Sequence, residues 1–329
     1  MALTIGSLQL DSDLILAPMV GYCDLPFRLI CRRMGSGLSY VPLILDEAVL
    51  HRQTGKSSSD FVDSERPVAM QMVSRDPERL LRACERLLPT RPDVWDLNLG
   101  CPSRHVTSAG RGSALLREPE RVGELLRTLV THFDQPVTAK IRLGWDDDSR
   151  NYLEIIKVLE QAGVAAIGVH GRTRQQGFGG QADWAAIAEC VRAANVPILG
   201  NGDVRTVADI EAMRSATGCG GILIGRGAVG NPWLFAGRDI DAVPYSERVA
   251  LIHEHLDQMV AYHGLYRGIT RFRKHVVRYV ISLPSAAKVR RQLTAAETPE
   301  QIYTILDAWH PGESHVRGED SAPSSAPMT

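Results

Sequence analysis

Eight short apolar runs, separated by segments with helical spacing, restrict what this chain can fold into more than any other feature of its sequence. The runs are rich in Val, Ile and Leu and span residues 14–18, 38–43, 68–73, 94–99, 137–142, 165–170, 196–201 and 220–224. Continuous apolar runs of this length are typical of strands buried on both faces, as in parallel sheets. The segments between them have helical periodicity, for example 76–88, 118–133, 150–162, 182–194 and 205–217. Eight strand-then-helix units predict an α/β fold, the (β/α)8 TIM barrel, more than an open doubly wound sheet.

The strand pattern stops near residues 237–245, and helical patterns alone continue from 246 to 310. We therefore expect a barrel domain over 1–240, followed by a small all-helical domain over 245–310. The last segment, 311–329, is rich in Pro, Ser, Ala and Gly and too poor in apolar residues to pack. We expect that tail to be disordered.

The sequence predicts neither a signal peptide nor a membrane span. The first residues lack a cationic start followed by an uninterrupted apolar run, and no apolar stretch reaches about 18 residues. We expect a soluble cytoplasmic protein without a membrane partner or an obligate protein partner. The six cysteines show no C-x-x-C pair and no metal-ligand spacing, which indicates reduced thiols and gives no reason to expect a metal.

Active sites of TIM barrels lie at the C-terminal ends of the strands, so polar residues and glycines there are the candidates for function. Gly202 and Gly225 directly follow the seventh and eighth strands. Either glycine alone is explained by a tight turn between a strand and a helix. Because both occur where barrels commonly bind phosphate, and Arg226 is adjacent, the pair favours a phosphate site.

Lys140 lies inside a strand pattern, where a lysine is costly to bury unless it has a partner. It could contact an anionic or dipolar ligand such as a flavin, form a Schiff base as in an aldolase, or extend past the strand end to solvent. His170 is equally compatible with a core position and with a binding role. Cys101, judged by its residue type alone, is most often a buried structural cysteine.

Several motifs at these strand ends together resemble the tRNA-dihydrouridine synthase family of bacterial type. The resemblance covers about residues 5–295 and is carried by DLNLGCPS at 96–103, KIRLGW at 140–145, VHGRTR at 169–174, NGD at 201–203, IGRGA at 224–228 and RKHV at 273–276. A Cys-Pro pair between a strand and its loop, with H-G-R-T-R and N-G-D downstream at barrel spacing, is a highly specific combination.

The resemblance implies a flavin-dependent oxidoreductase with bound FMN and with NADPH as a transient reductant. The residues implied to bind FMN are Pro18, Met19, Val20, Gln71, Lys140, His170, Asn201, Gly202, Asp203, Gly225 and Arg226. Cys101 is implied to be the catalytic acid, Asn98 to contact a flipped uracil, and Arg172 and Arg174 to hold nearby RNA phosphates. Reduction of the uracil 5,6 bond needs a hydride at C6 and a proton at C5, and a thiol, with an ordinary pKa of about 8.5, is mostly protonated at neutral pH.

The chain departs from the family pattern near its second strand. An acidic residue is common at the end of that strand, whereas here the run over 38–43 contains Tyr40-Val41-Pro42, and Asp46-Glu47 comes later. This difference leaves the expected flavin site unchanged and affects only residues that would face RNA.

A strongly basic segment lies in the expected helical domain. Residues 267–291 contain eight of the chain's 37 basic residues and none of its 38 acidic residues. On a helix, Arg267, Arg271, Lys274 and Arg278 fall within about 40° of one direction, opposite an apolar face. Surface charge runs are normally of mixed sign, so this cationic stripe predicts a polyanionic partner, and with the resemblance we expect tRNA, contacted by Arg271, Lys274 and Arg278.

The expected function is therefore reduction of D-loop uridine in tRNA, with the helical domain binding the tRNA. Bases in such a loop are less constrained than paired ones, so extracting one costs little. Two alternatives remain at this point: an FMN barrel that acts on free pyrimidines, and an RNA-binding relative without catalysis. Lys140 by itself also leaves the Schiff-base aldolase open.

Overall fold

The computed structural model describes residues 2–51, 60–309 and 311. The strands are β1 (Leu3–Ile5), β2 (Leu8–Leu10), β3 (Leu14–Leu16), β4 (Ser39–Leu45), β5 (Val68–Val73), β6 (Val94–Leu99), β7 (Val137–Arg142), β8 (Ala166–His170), β9 (Ile198–Asn201) and β10 (Gly221–Ile224). The α-helices are α1 (Leu25–Arg33), α2 (Asp46–Leu50), α3 (Pro77–Leu87), α4 (Arg104–Thr107), α5 (Pro119–His132), α6 (Tyr152–Gln161), α7 (Trp184–Ala193), α8 (Val207–Thr217), α9 (Tyr245–His263), α10 (Leu265–Tyr279), α11 (Ala286–Ala295) and α12 (Pro299–Asp307).

Strands β3 to β10 form one parallel sheet in which the strands from β4 to β10 pair with their sequence neighbours, and β10 also pairs with β3. The remaining edge, between β3 and β4, is joined by the Gly37 N–H, which donates to the Leu14 carbonyl at 2.8 Å, and by Ser36 Oγ, which accepts from the Leu16 N–H at 3.0 Å. The sheet thereby closes into a barrel. This confirms the predicted fold class, and all eight predicted strands are present within two residues of their expected bounds.

Several helices around the barrel begin at a residue whose side chain caps them. Asp76 accepts from the Arg79 N–H at the start of α3, Asp183 does the same for α7, and Thr206 forms a capping box with Asp209 at α8. Each such cap satisfies backbone N–H groups that the helix leaves without partners. Since these caps follow the strand ends, they set the length of the loops that surround the pocket.

The sequence analysis did not predict the N-terminal hairpin of β1 and β2. A methyl group at Gly6 would lie 3.2 Å from Pro136 and 3.3 Å from Ala165, which precede β7 and β8. The hairpin therefore packs against the N-terminal end of the barrel. Strands of three residues are too short to show periodicity in a sequence. The hairpin closes the end opposite the functional loops.

The second barrel strand is longer than predicted, and this changes one expectation. β4 runs to Leu45 through an irregularity between Val41 and Ile44, where Leu43 has a φ of 54°. Asp46 therefore follows the strand end directly, and it is fully buried with Ser74 Oγ donating to it at 2.6 Å. The expected lack of an acidic residue at this strand end is wrong, because the bulge at Pro42-Leu43 extends the strand by two residues.

Helices α9 to α12 share a hydrophobic cluster centred on Ile252, Phe272 and Leu293, which also includes Ile30 from α1 and Trp233. The helices are thus fixed against the first helix of the barrel. At this contact His263 Nε2 lies 2.9 Å from Asp24 Oδ2. The helical content of 245–307 agrees with the sequence analysis, while the division into separate domains stays a prediction.

The disorder expected over 311–329 falls outside the described residues, apart from Pro311. Within the described part of the chain, none of the helices combines the length and the apolar character needed to span a membrane.

Candidate active site

The C-terminal ends of the barrel strands surround a pocket of about 670 Å³. This volume lies in the range of roughly 300–1,000 Å³ that is usual for small-molecule and cofactor sites. Every residue that the sequence analysis proposed for FMN contributes to its wall, as do Asn98, Cys101 and Arg174. The contributions come from β3 and from β5 to β10, so residues far apart in sequence meet because parallel strands end at the same face.

A chain of buried hydrogen bonds leads from the barrel interior to Cys101. Asp96 accepts from Thr138 Oγ1 at 2.6 Å and from Gln71 Nε2 at 2.8 Å. Asn98 Nδ2 in turn donates to Gln71 Oε1 at 2.8 Å, and Asn98 Oδ1 accepts from the Cys101 N–H at 2.9 Å. Burial raises the pKa of Asp96 to about 6, although the two hydrogen bonds oppose this. The network fixes which way each amide points, and therefore what each can offer a ligand.

Cys101 is half-buried at the pocket wall on the loop after β6, where its carbonyl accepts from Ser113 Oγ at 2.8 Å. Burial raises the pKa of its thiol above the ordinary value, against a smaller lowering by a hydrogen bond from the Ser103 backbone and by the charge of Arg142. The thiol is therefore protonated at neutral pH. This state suits a proton donor, whereas a nucleophilic cysteine needs a lowered pKa.

Lys140 extends from β7 into the pocket, where its Nζ donates to Asn201 Oδ1 at 2.8 Å. Its neighbour on β8 is Gly168, at which a methyl group would lie 3.3 Å from Lys140 Cγ and 2.9 Å from Leu223. The glycine thus leaves room for the lysine. Burial, followed by the charge of Arg142, lowers the pKa of Lys140 to about 7. A ligand oxygen or nitrogen that accepts a hydrogen bond would reverse this lowering.

The turns after β9 and β10 line the pocket and contain glycines and one non-glycine residue with positive φ. Gly202 has a φ of 128°, and a methyl group there would lie 2.6 Å from Ala182 and 3.2 Å from His170. Asp203 has a φ of 59°, and a methyl group at Gly225 would lie 3.5 Å from Met19. Without side chains at these two glycines, a ligand phosphate can approach the backbone N–H groups closely.

His170 lies under these turns, and burial together with the surrounding positive charges keeps its pKa well below the ordinary value. It is therefore neutral, with one ring nitrogen available as a donor or an acceptor. Its neutrality avoids adding a further charge to a wall that already contains Lys140 and Arg142.

The structure does not support the predicted RNA contact of Arg172. Its side chain is only 1% exposed, and it donates to the Gly179 and Gly180 carbonyls at 2.9 and 2.6 Å and to Asp203 Oδ2 at 2.6 Å. These bonds from its Nε and Nη2 hold the loop after β8 against the loop after β9. Arg172 therefore positions the pocket wall in this structure, and its contact with RNA stays a prediction.

Arg174, in contrast, lines the pocket and stacks on Trp145, with 4.4 Å between its guanidinium carbon and the indole centroid. Its Nε is buried without a hydrogen-bond partner among the described residues. Arg174 is therefore available for a ligand that enters the pocket.

The cationic stripe of α10 runs beside the pocket rim. Lys274 Nζ lies 4.9 Å from the centroid of Tyr22, which belongs to the pocket wall, and 3.7 Å from the position of a methyl group at Gly21. Arg271 is exposed one turn before it, and Arg278 is exposed one turn after it. The stripe thus faces the loop after β3 and is continuous with the mouth of the pocket.

Among the pocket residues to which the sequence analysis assigned no role are Arg142, Phe178 and Arg205. Arg142 donates to the Gly100, Thr173 and Gly177 carbonyls at 2.8 to 2.9 Å. Its position two residues after Lys140 on the same strand was a usable signal, because residues two apart share a face. Phe178 and Arg205 lie in loops, where no periodicity indicates direction.

Comparisons with known proteins agree with this geometry. The model of the family described as dihydrouridine synthase (Dus) matches residues 15–310. A protein named tRNA-dihydrouridine synthase B from Pseudomonas aeruginosa is 37% identical over 297 residues, which cover 88% of this chain and 90% of the relative. The protein of the same name from Pseudomonas syringae pv. tomato is 34% identical over 91% of both chains.

More distant proteins show the same pattern. A protein named probable tRNA-dihydrouridine synthase from Rickettsia conorii is 32% identical, over 90% of this chain and 92% of the relative. Among solved structures, histamine dehydrogenase from Rhizobium sp. 4-9 superposes with a TM-score of 0.52 and 12% identity, over 78% of this chain and 50% of that one. At that identity the likeness concerns the fold alone.

Proposed function

The chain belongs to the dihydrouridine synthase family, and we propose that it reduces the 5,6 double bond of D-loop uridine in tRNA, with bound FMN and with NADPH as the reductant. The observation that carries this proposal is the placement of Cys101. Its strand, β6, is four strands away from β10 around an eight-stranded barrel, so the thiol faces the phosphate turns from the opposite side. If a flat ligand lies between the thiol and the phosphate turns, the thiol is at the ligand face that points away from those turns. A second ring can stack on that face.

The donor set of the pocket fits a flavin. The turns at 201–203 and 225–226 offer backbone N–H groups to the phosphate, and Lys140 offers a cationic donor in the barrel centre, where the polar edge of the isoalloxazine would lie. Gln71 also lines the pocket, and hydrogen bonds with Asp96 and Asn98 hold its side chain in place. The apolar side chains of Met19 and Leu223 provide surface for the ring system.

The bound flavin would supply the hydride for C6 of the uracil. Cys101 would donate the proton to C5, because burial keeps its thiol protonated and its backbone is held by Asn98 and Ser113. Arg142 anchors the same loop through the Gly100 carbonyl, and so limits the motion of the thiol relative to the ring. Asn98, already oriented by Gln71, would contact the flipped uracil.

NADPH would bind only transiently. Residues 225–230 read G-R-G-A-V-G directly after β10, which matches the glycine pattern of dinucleotide-binding folds. The chain continues as short 3-10 turns at Arg226–Ala228 and Pro232–Ala236, so the α-helix that such a fold requires does not follow. We therefore assign the first of these glycines, Gly225, to the flavin phosphate, because it lines the pocket.

The tRNA would lie over the pocket mouth and along α10. The exposed Arg271 and the half-buried Lys274 form a positive surface that ends at the wall of the pocket. Under this proposal the barrel, over 1–240, performs the reduction, and the helices over 245–310 hold the tRNA backbone.

The test compares dihydrouridine, position by position, in tRNA from cells with and without this gene. We expect the tRNA from cells without the gene to lack dihydrouridine at one D-loop position. Dihydrouridine should appear there when the purified protein, FMN and NADPH are added to that tRNA. Free uridine and free pyrimidine bases serve as parallel substrates. Reduction of these with no change in tRNA would contradict the proposed function.

A further inference from the structure

The turn that follows β10 brings together three arginines from separate parts of the chain. Arg226 belongs to the turn itself. A methyl group at Gly227 would lie 2.2 Å from the Val204 carbonyl oxygen and 3.0 Å from Arg205 Cα. A methyl group at Gly230 would lie 2.5 Å from Arg278 Cβ. The loop before α8 and the last turn of α10 therefore pack directly on Gly227 and Gly230, so Arg205 and Arg278 both start from backbone that touches this turn.

Positive charge dominates at this turn. Burial and the charges of Arg172, Arg205 and Arg278 lower the pKa of Arg226, with only Asp203 opposing them. Asp203 is itself engaged by Arg172 at 2.6 Å and by the Ala182 N–H at 2.7 Å, and it lies 3.8 Å from Arg226. In the described part of the chain neither Arg205 nor Arg278 forms an ion pair, and both are exposed. Such an excess of guanidinium groups is stabilised when an anion binds.

We propose that Arg205 and Arg278, together with Arg226, bind the phosphodiester of a tRNA nucleotide adjacent to the target uridine. The inference rests on the proposed function and extends it to a particular subsite. Guanidinium groups match phosphate oxygens in pairs, which lysine does not, so arginines from three elements can fix one phosphate in position.

Two features favour a tRNA phosphate over a phosphate of either cofactor. The flavin phosphate would contact backbone N–H groups at 201–203 and 225–226, whereas Arg205 and Arg278 present exposed side chains. Arg278 belongs to the stripe of α10, one helical turn beyond Lys274, and so continues the positive surface from Tyr22 to the phosphate turn. A strand that follows this surface passes over the pocket mouth, where its base can turn inward.

The experiment uses the flavin-loaded full-length protein and the variants Arg205→Gln, Arg278→Gln and the double variant. Arg192→Gln is the matched control, because Arg192 is exposed in the last turn of α7, at the opposite end of the barrel. The dissociation constant for unmodified tRNA is measured across a salt series. The KM for NADPH is measured with oxygen as the acceptor, in the absence of tRNA. Flavin content confirms that each variant is folded.

We expect the double variant to bind tRNA about tenfold more weakly, and its salt slope to fall by about 0.7 to 0.9 units, which corresponds to one phosphate contact. The loss of tRNA affinity should exceed any change in the KM for NADPH. A tRNA affinity and slope equal to those of Arg192→Gln would overturn the proposal. A raised KM for NADPH with parental tRNA binding would overturn it as well, by assigning the arginines to the phosphate of the reductant.

A failure of the proposed function would be seen in a different measurement, the activity of the parental protein on tRNA. The parental protein would then leave uridine in tRNA unreduced, whatever the variants do. The subsite is judged only from the ratio of variant to parental tRNA affinity.

Discussion

Replacement of Cys101 by Ala tests the proposed proton donor with little disturbance of the site. The anchors of this loop are backbone atoms: Asn98 Oδ1 accepts from the Cys101 N–H at 2.9 Å, and Ser113 Oγ donates to its carbonyl at 2.8 Å. Both contacts remain in the variant. Loss of one half-buried sulfur should lower the free energy of unfolding by roughly 1 kcal/mol, near the lower end for large-to-small changes. Flavin content should therefore equal that of the parental protein.

The expected loss is confined to the step that needs a proton. A positioned acid contributes about 10² to 10⁴ in rate, which corresponds to roughly 3 to 5 kcal/mol of activation free energy. Water in the pocket would be the remaining donor. The assay mixes the reduced protein with tRNA without oxygen and follows the return of the oxidised flavin absorbance. Reduction of the flavin by NADPH, measured on the same sample, is the internal control.

The pH dependence gives a second readout. A thiol acts as an acid only below its pKa, and burial raises that pKa above the ordinary value. The parental rate should therefore stay level through neutral pH and decrease only as the pH rises through the raised pKa, whereas the Ala variant should lack this decrease. If the reduced flavin of Cys101→Ala is oxidised by tRNA at the parental rate and with the parental pH profile, the thiol has a structural role and is not the proton donor.

Three further changes probe the pocket, the stripe and the buried arginine. Lys140→Met should reduce flavin affinity by at least tenfold, because the cationic donor that is held by Asn201 is lost; retention of FMN at parental affinity, measured by fluorescence titration, would contradict this. Arg271→Glu should weaken tRNA binding and flatten its salt dependence while the melting temperature stays within experimental error, since the side chain is exposed; unchanged binding would place the RNA elsewhere. Arg172→Gln should lower the free energy of unfolding by about 3 kcal/mol, because Asp203 and two loop carbonyls lose a buried partner; a stable variant with a selective loss of tRNA binding would instead restore a phosphate role for this residue.

Much of the barrel could be predicted because its information is local. The strands 68–73, 94–99 and 137–142 were predicted with the bounds that the structure shows, since buried parallel strands are continuous apolar runs that need no partner to be recognised. The order of strands also places their ends on one face. The meeting of Lys140, His170 and Gly202 around one pocket could thus be predicted from the sequence alone.

The direction in which a loop side chain points, and the residues that it contacts, could not be predicted in the same way. Arg172 and Arg174 are two residues apart in one motif, yet one is buried against Asp203 and the other faces the pocket beside Trp145. The difference arises from which loop packs on each side chain, a contact between residues about 30 positions apart in sequence. The sequence places the end of the second barrel strand, β4, two residues too early for a similar reason. The strand continues past the bulge near Leu43 because its last residues pair with β5, and such pairing cannot be recognised from the residues of the bulge.

By itself the sequence determined the alternation of strands and helices, the apolar core, the glycines of the phosphate turns and the basic face of α10, because each depends on residue type and spacing alone. Only the tertiary structure decided that Asn98, Gln71 and Asp96 form one hydrogen-bonded chain, that burial keeps the Cys101 thiol protonated, and that Arg205 and Arg278 meet at the turn after β10. Hydrogen bonds, desolvation and charge proximity depend on distances between atoms, and those distances are set when remote segments pack together.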